Sequence, residues 1–160
     1  MLLLYLPIWG SGGHRPHDGF RDNSGHAGLC ERSIWNRSLE GRSVSVQGLG
    51  VVGYHVAKQL SELKVKLVVC DINTGKVRKV VEEFGVRVVL PEEIYNQDVE
   101  IYSPCALGAT INDETLKKLR CKIICGCANN QLKEERDADP LQKMGIPYAP
   151  DYIANARGTI

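Results

Sequence analysis

From Ser38 onward, hydrophobic positions along the chain alternate between two periods. Ser43-Val44-Ser45-Val46-Gln47 is a short β-branched run, and Val52, Val56, Ala57, Leu60 and Leu63 then recur at helical spacing. Lys66-Leu67-Val68-Val69-Cys70-Asp71 is a near-continuous apolar run, as in strands buried on both faces. Asn73 caps a second helix through Phe84, with Val77, Val80, Val81 and Phe84 on one side and charged residues largely on the other. Val86-Arg87-Val88-Val89 reads as a short third strand and Val99-Glu100-Ile101-Tyr102-Ser103 as a fourth that stops at Pro104.

The same alternation continues. Asn112 caps a helix carrying Leu116 and Leu119, with Lys117, Lys118 and Arg120 near its C-terminus, where the helix dipole favours cations. Lys122-Ile123-Ile124-Cys125 is a fifth strand. Asp139-Pro140 marks an N-cap with proline at the first helical position, Gly145 closes that helix, and Pro147-Tyr148-Ala149 is a sixth strand. Six strands alternating with helices predict an α/β fold with a doubly wound, mostly parallel six-stranded sheet.

Residues 1–37 do not share this patterning. Residues 10–30 follow neither period, and residues 1–40 contain no lysine whereas the other 120 contain ten. His14, His17 and His26, three of the four histidines, also fall there. The apolar opening Met1 to Trp9 lacks the basic region and small-residue cleavage site of a secretory signal. Out-of-frame translation yields such a stretch, because the hydrophobic spacing belongs to the other frame. The chain therefore divides into an irregular segment 1–37, expected to make few contacts with the sheet, and a patterned domain 38–160.

Charge narrows the partners. Twenty basic residues against nineteen acidic ones leave a net charge of +1, which offers no general electrostatic footprint for nucleic acid or an acidic membrane. No apolar run approaches the ~20 residues of a membrane span. The six cysteines do not take zinc spacing: Cys121-x3-Cys125-x-Cys127 lacks paired ends, and Cys125 sits in an apolar run where Cys acts as a small hydrophobe. No metal site is expected. Reduced thiols point to a cytoplasmic location.

The chemistry concentrates in Gly48-x-Gly50-x-x-Gly53. Its context raises it above a chance motif and makes 38–160 a Rossmann dinucleotide-binding domain: it follows a strand, opens a helix, and Asp71 ends the next strand 21 residues after Gly50. Gly48 permits the tight turn, Gly50 the approach of pyrophosphate, and Gly53 close packing of helix on strand. The helix N-terminus offers N–H groups to phosphate. Asp71 would accept from ribose hydroxyls and repel a 2′-phosphate, which favours NAD over NADP. Ligands of open α/β sheets bind beyond the carboxyl ends of the strands, so loops 48–53, 71–73, 104–109 and 126–130 are candidates. Asn129 and Asn130 could bond a carboxamide or ribose. Asn130 equally reads as a cap for the following helix, and His55 as a helix-surface or packing residue.

Longer strings carry a resemblance. Val46-Gln47-Gly48-Leu49-Gly50, Asp71-Ile72-Asn73, Tyr102-Ser103-Pro104-Cys105-Ala106-Leu107-Gly108, Ala128-Asn129-Asn130-Gln131-Leu132-Lys133 and Met144-Gly145-Ile146-Pro147-Tyr148-Ala149-Pro150-Asp151-Tyr152 resemble the leucine/phenylalanine/valine dehydrogenases, leucine-type members nearest, from about residue 38 to 156. The resemblance implies NAD-dependent oxidative deamination of a small L-amino acid to a 2-oxo acid by a cytoplasmic homo-oligomer. Of that enzyme this stretch looks like the nucleotide-binding part. Gly48, Leu49, Gly50, Val51, Val52 and Gly53 would hold pyrophosphate, and Asp71 and Ile72 the adenosine end. Cys105, Ala106, Cys127, Ala128 and Asn129 would line the cleft, and Asn155 would approach the nicotinamide. Residues 1–37 show nothing like the family's glycine-and-lysine catalytic motif, so no catalytic residue is assigned. Asn155-Ala156-Arg157-Gly158 also departs from the family's Asn-Ala-Gly-Gly. A fragment able to bind NAD and inactive alone is expected; a freestanding NAD-binding or regulatory module is the alternative.

Overall fold

The computed structural model describes residues 39–149 apart from Leu107 and Asn129. The expectations for residues 1–37, Asn155 and Arg157 lie outside the described residues. Six strands form one sheet: β1 Ser43–Gln47, β2 Lys66–Cys70, β3 Arg87–Val88, β4 Ile101–Pro104, β5 Ile123–Cys125 and β6 Tyr148–Ala149. Their spatial order is β3-β2-β1-β4-β5-β6 and every neighbouring pair is parallel. This is the doubly wound dinucleotide order, with the reversal of winding between β1 and β4.

Side-chain alternation along the strands builds two cores. Val44, Val46, Leu67, Val69, Ile101 and Ile123 face helices α1 (Val51–Glu62) and α2 (Thr74–Phe84), meeting Val56, Ala57, Leu60 and Val80. Val68, Cys70, Tyr102 and Ile124 face the other way, toward Ile94, Ile111, Leu116, Leu119, Leu141 and Ile146. With both faces covered, strand residues are buried at consecutive positions: β2 shows this as an apolar run, while β1 and β4 bury Ser45, Gln47 and Ser103 among their apolar residues.

Capping explains where the helices stop and start. Asn73 Oδ1 accepts from Lys76 N at 3.2 Å, and Gly85 ends α2 in the left-handed conformation at φ 63°. Two sequence expectations shift. Asn112 does cap its helix, in a reciprocal box with Thr115, but α3 spans only Asp113–Leu116. Lys118 N turns back to Thr115 O, a tighter closure than the α-helical one, so Leu119 enters the core from a turn. The last helix, α4 (Ala138–Lys143), starts earlier than Asp139-Pro140 suggests, with Asp137 as N-cap residue. Asp137 Oδ2 accepts from Glu134 N at 2.9 Å in the preceding 3-10 turn. Pro140 is thus the third helical residue, still within the first turn, where a missing N–H costs nothing.

An ion pair ties the start of β1 to the segment leading into β4. Arg42 Nη1 lies 2.5 Å from Glu100 Oε1, with Lys122 Nζ at 3.6 Å. Burial pushes the Glu100 carboxyl up, but the Arg42 hydrogen bond and charge outweigh it and hold the group below its ordinary value. A depressed folded-state pKa contributes stability above the unfolded value of about 4.3 and loses it as pH falls through the folded value. Glu100→Gln is therefore expected to lower the urea midpoint above about pH 5 and to converge with the wild type in stronger acid. A midpoint difference that is constant from pH 7 to pH 3 would contradict this.

Candidate functional site

Because all six strands run parallel, the loops leaving β1, β2, β4 and β5 emerge at one edge of the sheet. Gln47 is level with both Cys70 and Pro104, which sets Gly48, Asp71 and Cys105 side by side. Backbone bonds carry the ladder past the strand ends: Gly48 N to Cys70 O at 2.8 Å, Cys105 N to Gln47 O at 2.7 Å, and Ala128 N to Pro104 O at 3.1 Å.

The three fingerprint glycines have three different reasons. Gly48 sits at φ 90°, and a Cβ there would come within 2.8 Å of Ala106 N and Cα. A Cβ on Gly53 would overlap the carbonyl oxygen of Gly48, so this glycine lets α1 pack against the end of β1. Gly50 differs. It has ordinary extended torsions, φ −63° and ψ −171°, and a Cβ there would meet nothing within 4 Å. Neither the backbone nor the packing of the chain itself demands glycine at this position, which leaves an external group as the reason. Gly50 is also the N-cap of α1, and no side chain caps that helix. The first-turn N–H groups and the positive end of the dipole therefore face open space.

Asp71 closes one side of this cradle. Its Oδ2 accepts from Leu49 N at 2.5 Å and its Oδ1 from Asn73 N at 2.7 Å. The carboxylate thus tethers the glycine loop to the end of β2, a role the sequence reading did not include. Each carboxylate oxygen keeps further acceptor capacity. Beside it Ile72 is 90% exposed and Val51 80% exposed, with Val52 half-exposed. Large apolar side chains held so fully in solvent at a loop edge make an apolar floor next to the uncapped start of α1.

The opposite wall is made by residues 104–106 and 126–128. A Cβ on Gly126 would lie 2.5 Å from Pro104 Cδ and 2.6 Å from its N, so the two segments are in backbone contact. Gln131 is fully buried and its Nε2 donates to Gly126 O and Ala128 O, both at 2.9 Å. Beneath the glycine loop, the Gln47 side chain donates to Tyr95 Oη at 2.7 Å and accepts from the Tyr102 hydroxyl. Gly126 falls in the candidate loop 126–130, whereas Gln131 and the Gln47–Tyr95–Tyr102 trio were not singled out from sequence. A glutamine gives no signal of burial until its carbonyl partners are known. Asn130 does not cap a helix, since the next one begins at Ala138; its backbone is left-handed at φ 51° and its carbonyl accepts from Ala109 N. His55 is exposed on α1, against the Tyr54 ring.

Gly48 to Gly53, Asp71, Ile72, Cys105, Ala106, Cys127 and Ala128 all fall at this one edge; Asn129 and Asn155 lie outside the described residues. A hollow of about 550 Å³ lies elsewhere, by the starts of β1 and β2, with Phe84, Arg87 and Asp98 in its lining. It shares no residue with the four loops.

Sequence comparison agrees with this geometry. The profile of the Glutamate/Leucine/Phenylalanine/Valine dehydrogenase family matches residues 70–160. The chain belongs to that family. It is 48% identical over 155 residues to leucine dehydrogenase of Bacillus subtilis, an alignment that takes in 96% of this chain and 43% of the relative. That span reaches into residues 1–37, further than the motifs do. Among solved structures, L-tryptophan dehydrogenase from Nostoc punctiforme superimposes with a TM-score of 0.77 at 45% identity, covering 81% of this chain and 39% of that one. Hetero-hexameric glutamate dehydrogenase from Thermus thermophilus gives 0.61 at 25% identity, covering 82% and 34%. The chain thus spans less than half the length of these relatives. Among the described residues, no helix is long and apolar enough to cross a membrane, and no cluster of three or more metal-binding side chains occurs.

Proposed function

We propose that this chain is the NAD-binding part of an L-amino-acid dehydrogenase of the leucine type. The observation that carries the reading is Gly50: a glycine that the fold does not require, at an uncapped helix N-terminus, 21 residues before an aspartate that ends the next strand. Pyrophosphate fits that gap, taking N–H bonds from the first turn of α1. The free lone pairs of Asp71 would accept from the adenosine ribose diol, with Ile72 and Val51 against the adenine. Cys105, Ala106, Cys127 and Ala128 form the wall toward which the nicotinamide would extend, together with Asn129 and Asn155.

Bound NAD would supply the hydride acceptor for oxidising an amino acid to its 2-oxo acid and ammonia. The residues of this chain bind and orient it; no proton-transfer role is assigned to any of them. A homo-oligomeric, cytoplasmic enzyme with a small apolar L-amino acid as substrate completes the proposal.

The test uses Gly50→Asp, because aspartate is a good N-cap and the site has room for it. The variant is expected to melt at or above the wild-type temperature. It should bind NADH at least about tenfold more weakly, a difference of about 1.4 kcal/mol, through charge repulsion and lost space. Unchanged NADH affinity, read by quenching of protein fluorescence, would sink the assignment of pyrophosphate to this loop.

A further inference from the structure

Two thiols in the cleft wall stand apart from the other described cysteines. Cys70, Cys121 and Cys125 are buried, and burial pushes Cys70 and Cys121 up to about 12, where they are inert at neutral pH. Cys105 and Cys127 are only partly buried, one residue past the end of β4 and two past the end of β5. The Cys127 thiol and backbone N–H stand beside the Cys105 sulfur and hold its thiol below the ordinary value. The Ser103 hydroxyl lies 3.6 Å from that same sulfur. Backbone contact between Gly126 and Pro104, and the bond from Ala128 N to Pro104 O, fix the two segments on either side of the pair.

We propose that Cys105 and Cys127 are a thiol–disulfide pair, closed by a low-molecular-weight disulfide, and that closure weakens nucleotide binding. The Cys105 sulfur is the attacking atom, surrounded by groups able to donate to it. The Cys127 thiol, foremost, outweighs burial and lowers the Cys105 pKa, while Cys127 itself is raised. The Cys105 thiolate attacks one sulfur of the small disulfide, whose S–S bond breaks and whose other half leaves as a thiol. Cys127, giving up its proton, then attacks the Cys105 sulfur and releases the second half. Two protein thiols and one small disulfide become one protein disulfide and two small thiols.

The consequence for binding follows from position. Cys105 Cβ lies 3.2 Å from where a Cβ on Gly53 would stand, and Ala106 touches Gly48. A bond of about 2.05 Å replacing a non-bonded contact draws residue 127 toward 105 and reshapes the wall on which the nucleotide would rest. This second part rests on the cofactor reading above; the cross-link itself does not.

The full chain, reduced and then treated with oxidised glutathione, is mapped by peptide mass spectrometry, and NADH is titrated into the reduced and oxidised forms. A Cys105–Cys127 cross-link is expected as the main product. It should persist in Cys125→Ser and vanish in Cys127→Ser, which should instead hold glutathione on Cys105. The oxidised chain should bind NADH at least tenfold more weakly than the reduced chain, with affinity restored by dithiothreitol. A lasting mixed disulfide on wild-type Cys105, a cross-link to any other cysteine, or no reaction would overturn the pair. Equal NADH affinity of the two forms would overturn the effect of closure. If the reduced chain binds no NADH, the cofactor reading fails and closure has no binding to weaken, while the peptide map still decides the pair.

Discussion

Replacing Gly126 by alanine is expected to cost about 3 kcal/mol or more of folding stability. The added carbon would stand against the proline ring and backbone of Pro104, which belong to a central strand and cannot step aside as a flexible side chain would. Relief requires β5 to move away from β4, and that strains the bonds from Ala128 N to Pro104 O and from Gln131 to Gly126 O. Against a typical total of about 5–15 kcal/mol, the urea midpoint should fall by a large fraction of its value. A midpoint within experimental error of the wild type would show that the two segments are less tightly apposed than described.

The second large effect is expected at Asp71. Asp71→Ala removes the acceptor for Leu49 N and Asn73 N together, and with it the tie between the glycine loop and β2. Hydrogen bonds to a charged partner are worth about 1.5–3 kcal/mol each, and solvent at this half-exposed edge replaces part of that. The structural loss should therefore be modest, about 1–2 kcal/mol. The binding loss should be larger and selective. NADH should weaken by about tenfold or more, whereas NADPH, no longer facing a carboxylate beside its 2′-phosphate, should weaken less or improve. Parallel loss of both nucleotides, measured by fluorescence titration, would mean that Asp71 serves the loop alone.

The difference between these two residues shows what the sequence could and could not reveal. Asp71 was legible because its role depends on local spacing: a strand end, a glycine turn, and a fixed distance between them. The same holds for β2, whose burial on both faces writes itself as a near-continuous apolar run, and for Asn73 at the start of α2. Loop 126–130 was legible as a candidate, but the contact of Gly126 with Pro104 joins residues distant in sequence and the bonds of Gln131 depend on how its loop folds back, so nothing local announces them. The misjudged helix around Leu119 has the same origin. A leucine three residues beyond Leu116 suits a helix by spacing, yet it reaches the core equally well from a turn. At Asp139-Pro140 the local N-cap signal was sound in kind but was overridden by Asp137, whose carboxylate binds Glu134 N. The tether from Asp71 to Leu49 N is the least expected feature of the site, since it gives the carboxylate proposed to read the ribose a structural role as well.

The central claim is that the edge formed by Gly48–Gly53, Asp71 and the 104–106 and 126–128 segments seats NAD, with the carboxylate selecting against a 2′-phosphate. Isothermal titration of the folded, reduced chain with NADH and with NADPH tests it most directly. The account predicts saturable one-site binding of NADH and affinity for NADPH at least about tenfold lower. A chain with a cooperative melting transition that binds neither nucleotide, or binds both equally, would contradict it.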